Sequence, residues 1–80
     1  MKDVFFTKPE ASALVGRNVV IQTAFPSPKL KPGVTGKIER VVPSLMGSNA
    51  GDYSVIVEWP AINRSDELIK SDMDHLRFLT

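Results

Sequence analysis

Tyr53, Val55, Val57 and Trp59 occupy every second position of one uninterrupted run, with Ser54, Ile56 and Glu58 between them. Successive side chains of a strand point to opposite faces, so this spacing gathers four large apolar groups on one face of a β-strand. At 80 residues the chain has room for one small core, and this strand is placed to supply much of it. Residues 1–80 are therefore read as one domain. No internal repeat, low-complexity tract or linker-like stretch suggests a boundary, and the chain divides only into an N-terminal extension, 1–15, and a body, 16–79.

The rest of the chain reads as short strands separated by long loops. Val4-Phe5-Phe6 is a run of β formers that either starts a strand or lies against the body. Thr7-Lys8-Pro9-Glu10 has the form of a capping box, and Gly16 stands where a glycine ends a helix, so one or two helical turns are expected across 8–15. Pro9 is tolerated there because first-turn amides have no intrahelical partner to lose. From Asn18 the period changes to two, with Val19, Ile21 and Thr23 on one face and Val20, Gln22 and Ala24 on the other. Three prolines between Phe25 and Gly33 then exclude a central strand. Val34, Gly36 and Ile38 alternate with Thr35, Lys37 and Glu39 in the next strand, and Arg40 to Pro43 continues it through an expected bulge.

Ser44 to Asp52 is a second long loop. Pro60 ends the Tyr53–Trp59 strand, and residues 61–67 read as polar and turn-rich. Leu68-Ile69-Lys70 reads as a brief strand, Ser71 to Asp74 as one capped turn, and Leu76 to Leu79 as the closing strand. Five short strands with almost no helix predict a mainly β fold, a small and strongly bent five-stranded barrel with a short N-terminal helical turn and long loops.

Gly16-Arg17-Asn18-Val19-Val20-Ile21, a loop, and then Pro32-Gly33-Val34-Thr35-Gly36-Lys37-Ile38 resemble the first two strands of SH3-like barrels, including the KOW-type modules of ribosomal and transcription-elongation proteins. Tyr53 to Trp59 and Leu76 to Leu79 fit later strands of the same pattern. The resemblance spans most of 16–79 and implies an SH3-like barrel. The chain departs from a compact KOW unit in its proline-rich loop, Phe25 to Pro32, and in its wide loop, Ser44 to Asp52. It is also similar to small barrels that accompany photosynthetic and redox complexes, such as the photosystem I peripheral subunit and the variable chain of ferredoxin–thioredoxin reductase. That likeness implies an accessory docking role in an enzyme complex.

Little in the sequence points to catalysis. There is no cysteine, hence no disulfide, thiolate nucleophile or cysteine-based zinc site, and a reducing, cytoplasmic setting is the default expectation. The longest apolar runs are three residues, too short for a membrane span, and no membrane association is expected. His75 is the sole histidine; Asp72, Asp74 and His75 suit a helical cap better than a metal, and Asp66 and Glu67 beside Arg64 and Lys70 suit surface ion pairs better than an acid–base couple. No enzyme activity, cofactor or metal is expected.

Charge and loop composition suggest binding instead. Residues 1–40 carry seven Lys/Arg and three Asp/Glu, a balance of +4, and residues 41–80 carry three and six, a balance of −3. Between Ala11 and Ile38 stand Arg17, Lys29, Lys31 and Lys37 with no acidic residue. The expectation is a non-catalytic module that docks an unidentified protein partner through its long loops. Phe25, Leu30, Leu45 and Met46 would be its apolar anchors and Lys29 and Lys31 its charged rim. Leu45 and Met46 have a second reading, folding back over an open end of the barrel. The alternative function is RNA or DNA binding, with Arg17, Lys29, Lys31 and Lys37 on phosphates and Phe25 stacked on a base. Edge strands in so small a sheet also leave self-pairing open.

Overall fold

In a computed structural model of the chain, residues 4–26, 29–44 and 51–79 are described. The Tyr53–Trp59 alternation forms strand β3, flanked on one side by β2 (Thr35–Pro43) and on the other by β4 (Arg64–Leu68). Strand β1 (Asn18–Ile21) pairs with β2, and β5 (Leu76–Phe78) pairs with β1, giving one antiparallel sheet in the order β4-β3-β2-β1-β5. A short helix, α1 (Lys8–Ser12), precedes the sheet; one 3-10 turn (Pro60–Ile62) joins β3 to β4 and a second (Lys70–His75) joins β4 to β5.

Two expectations are corrected. The sheet is open: β4 and β5 are its edges and do not pair with each other, so five strands do not make the closed barrel expected of them. The residues leading from β4 to β5 curl into the second 3-10 turn, and β5 is only three residues long, which leaves no extended stretch to complete a closing ladder. The fourth strand also lies earlier than Leu68-Ile69-Lys70, because Arg64 to Leu68 pairs in full with Val55 to Trp59. Its period-two signal is hidden by polar residues at inward positions. Arg64 and Asp66 face Trp59 and Val57 across the ladder, on the same side as Leu68 opposite Val55.

One face of the sheet holds the core. Val19, Ile21, Ile38, Val55, Val57, Trp59 and Leu68 come from the strands, and Phe6, Ala11 and Leu30 cover them from outside it. Between Ile38 and Arg40 the register with β3 shifts, so Glu39 is the extra residue of the expected bulge. At the start of β3, Phe6 and Tyr53 exchange both backbone hydrogen bonds, at 3.1 and 2.9 Å. The N-terminal segment thus lies against the body as a single bridge.

The capping box forms as its residues demand. The Glu10 N–H donates to Thr7 Oγ1 and the Thr7 N–H donates to Glu10 Oε1 at 2.9 Å. Ala11, fully buried, is the helix's core contact. The chain leaves α1 through Gly16, whose φ of +90° is one that an L side chain rarely adopts. The Gly16 N–H then donates to the Ile38 carbonyl at 2.7 Å, tying the end of the helical segment to β2.

Gly36 answers a close approach within the sheet. It faces the same side as Val19, and a Cβ at this position would overlap the Trp59 ring and lie 2.9 Å from the Glu58 carbonyl oxygen. Trp59 is fully buried and the carbonyl is backbone, so neither can easily move. Gly36→Ala is therefore expected to lower stability by at least about 2 kcal/mol in urea denaturation followed by Trp59 fluorescence. An unchanged midpoint would show that the ring has room to shift.

Candidate functional site

The residues expected to act together are dispersed. The Phe25 ring is half-buried and stacks on His75, centroid to centroid 4.6 Å with 27° between planes. Its N–H donates to the Leu30 carbonyl at 3.3 Å, and His75 Nδ1 lies 3.1 Å from the Thr23 carbonyl oxygen. These contacts clamp the β1–β2 loop onto the second 3-10 turn, and they occupy the face that a base would stack on. Leu30, expected as an apolar anchor, is only 4% exposed and packs in the core, so it has little surface to offer a partner. An apolar side chain in a loop between two sheet strands gains roughly 1.5–3 kcal/mol by folding back over them. Leu45 and Met46 lie outside the described residues.

The cations are also divided. The Arg17 guanidinium sits over the Phe78 ring, 4.3 Å from its centroid, in a cation–π contact. Lys37 is exposed on the face of the sheet turned away from the core, in register with Asn18 on one side and Glu58 on the other. Lys29 and Lys31, both exposed, line a common hollow of about 390 Å³ together with Val34 and Ile62.

A larger feature was not singled out in the sequence. Between α1, the second 3-10 turn and β5 runs an open groove of about 610 Å³. Phe6, Leu14, Met73 and Phe78 line it with apolar surface, and Glu10, Lys70 and Asp74 complete the lining with charge. Each wall has a local origin. The capping box starts α1 at Lys8, the α1 segment carries Leu14 past the fully buried Ala11, and the Phe6–Tyr53 bridge holds Phe6. Asp72 accepts the Ile69 N–H at 3.0 Å at the head of the second 3-10 turn, which places Met73. Phe78 stands opposite Val19 on the core side of an edge strand, where no further strand covers it, and is 36% exposed. Val4, Val15 and Leu79 are likewise exposed apolar side chains. The one local signal was the apolar pair Leu76 and Phe78 on a single face of the closing segment; Phe6, Glu10 and Leu14 come from the opposite end of the chain.

The groove's charges are coupled across the sequence. Lys70 Nζ donates to Glu10 Oε2 at 2.7 Å, bridging α1 and the second 3-10 turn. Lys70 was expected beside Asp66 and Glu67; Asp66 is instead held by Arg64 and by the Trp59 indole N–H, at 2.8 Å. The Lys70 hydrogen bond, followed by that from the Thr7 backbone, lowers the Glu10 pKa from 4.5 to about 2. A carboxyl whose folded pKa lies below its unfolded value adds stability that is complete above about pH 4.5 and is lost as pH falls toward 2. Because the pair is exposed, the contribution is small.

Among the described residues no group of three or more His, Asp or Glu side chains is placed to hold a metal ion, and no helix is long and apolar enough to cross a membrane. Compared with family models, curated proteins and solved structures, the chain matches none.

Lys70→Met is expected to return the Glu10 titration, read from its side-chain carboxyl carbon by NMR, toward 4.5. A midpoint still near 2 in that variant would assign the shift to the capping box alone.

Proposed function

We propose that this domain is a non-catalytic docking module whose protein partner lies in the groove between α1, the second 3-10 turn and β5. The groove itself carries the reading: four apolar side chains line an open concavity, one of them more than a third exposed, with charged groups alongside. This combination of a desolvating centre and a polar surround is the usual anatomy of a protein-binding surface. It moves the contact away from the long loops, since Phe25 and Leu30 are committed to holding the β1–β2 loop in place.

The fold supports an SH3-like reading. One antiparallel sheet in which the last strand pairs with the first, a long loop after β1, and only short helical turns fit the pattern quoted from Gly16 to Leu79. An accessory role within a larger enzyme complex, the other implication of the resemblance, is one form of the same docking function. Nucleic-acid binding has weaker support, because Arg17, Lys37 and Phe25 do not join Lys29 and Lys31 in one basic, aromatic surface.

A random peptide library displayed on phage and selected against the immobilised chain tests this reading. Selected peptides are expected to perturb the amide NMR signals around Leu14, Met73 and Phe78, and Phe78→Asp should weaken them by about tenfold or more. The Phe78 side chain is partly exposed and its contact with Arg17 is worth only about 0.5–1 kcal/mol, so that variant is expected to remain folded. Failure to select any binder, or binders that Phe78→Asp does not weaken, would contradict the assignment.

A further inference from the structure

We infer that Lys29, Lys31, Val34 and Ile62 form a second binding site, one that takes an acidic peptide segment. Its carboxylates pair with the two lysines, and an apolar side chain between them rests on the aliphatic surface. This hollow shares no lining residue with the groove between α1 and β5, so the inference stands independently of the function proposed for that groove.

The first support is preorganisation. Lys29 and Lys31 flank Leu30, whose side chain is buried in the core, so both exposed amines project from a segment anchored between them. The Val34 N–H donates to the Lys31 carbonyl at 3.2 Å. Gly33, at φ +95°, directs its N–H to the Ile21 carbonyl at 2.8 Å. On the other side, the Phe25 N–H meets the Leu30 carbonyl, and the Phe25 ring is held against His75. Residues 29–34 are therefore held by backbone bonds and a buried side chain in the folded chain, so the segment that carries the two lysines is placed before a ligand arrives, which lowers the cost of engaging it.

The second support is chemical. No acidic residue is among the described residues lining the hollow, and none occurs in sequence between Ala11 and Ile38. Two like charges beside aliphatic surface complement a ligand that is anionic at its ends and apolar between them. A single strand of nucleic acid offers anionic charge too, but its binders use an aromatic ring as a stacking platform and contact several phosphates. Val34 and Ile62 offer no ring. The nearby Phe25 is stacked on His75, Arg17 lies over Phe78, and Lys37 faces away from the core side of the sheet.

The probe is a fluorescein-labelled peptide of six glutamates around one central leucine, titrated by anisotropy at 50 and 200 mM salt. Saturable binding is expected, weakened severalfold at the higher salt and by about tenfold or more in Lys29→Glu/Lys31→Glu. Replacing the leucine of the peptide by serine should weaken binding, and Phe78→Asp in the protein should leave it unchanged. Lys29→Gln/Lys31→Gln serves as a second variant without charge reversal, and Trp59 fluorescence verifies that each is folded. Absence of saturable binding up to millimolar protein, or equal affinity in both lysine variants, overturns the inference. Tighter, lysine-dependent binding of a twelve-nucleotide oligo-dT overturns it in favour of nucleic acid.

Discussion

An indole is the largest side chain that a core of this size must enclose, and its N–H has to be bonded once it leaves water. Trp59 meets both demands at once. Its ring lies against Gly36 on β2, where no other residue type would leave space, and its N–H donates to Asp66 on β4. Asp66 in turn accepts from Arg64, so a carboxylate on the inward face of a strand is left with its charge balanced and both oxygens bonded. Strands β2, β3 and β4 are fastened through this one side chain, and β1 and β5 extend the sheet from β2.

Both proposed surfaces lie where the core of that sheet reaches its boundary. At β5 no further strand follows, and α1 and the second 3-10 turn stand apart enough to leave Phe78, Met73 and Leu14 lining an open groove. The Glu10–Lys70 ion pair spans these two elements without filling the space between them. Toward the β1–β2 loop, Leu30 plugs the core and leaves its neighbouring lysines outside. Incomplete closure of a small sheet thus leaves apolar surface at the β5 edge, and the proposed docking groove rests on it.

Much of the fold was legible because its signals are local. The alternation from Tyr53 to Trp59, the capping box at Thr7 and Glu10, the glycine at the end of the first helical segment and the bulge after Ile38 each depend on residues close in sequence. Strand β4 was not legible, because Arg64 and Asp66 occupy inward positions that become acceptable only once the Trp59 N–H is beside them. The open sheet was missed for a related reason: closure depends on how edge strands meet in space, which periodicity does not encode. Leu30 looked available because it sits among prolines and lysines, and only the tertiary structure reveals the core beneath it. The groove joins Phe6, Leu14, Met73 and Phe78 from both ends of the chain, and no spacing rule connects them.

Both proposals rest on a platform that behaves as one rigid unit. Native-state hydrogen exchange measures this directly. The amides of β2, β3 and β4 that are hydrogen-bonded between strands are expected to exchange only through global unfolding, at one common free energy, with the Gly33 and Phe25 amides of the β1–β2 loop also strongly protected. Independent, much faster exchange of the β4 amides bonded to β3, or an unprotected Gly33 amide, would contradict this, since Trp59 and Leu30 would then not be holding the sheet and the lysine-bearing segment in place.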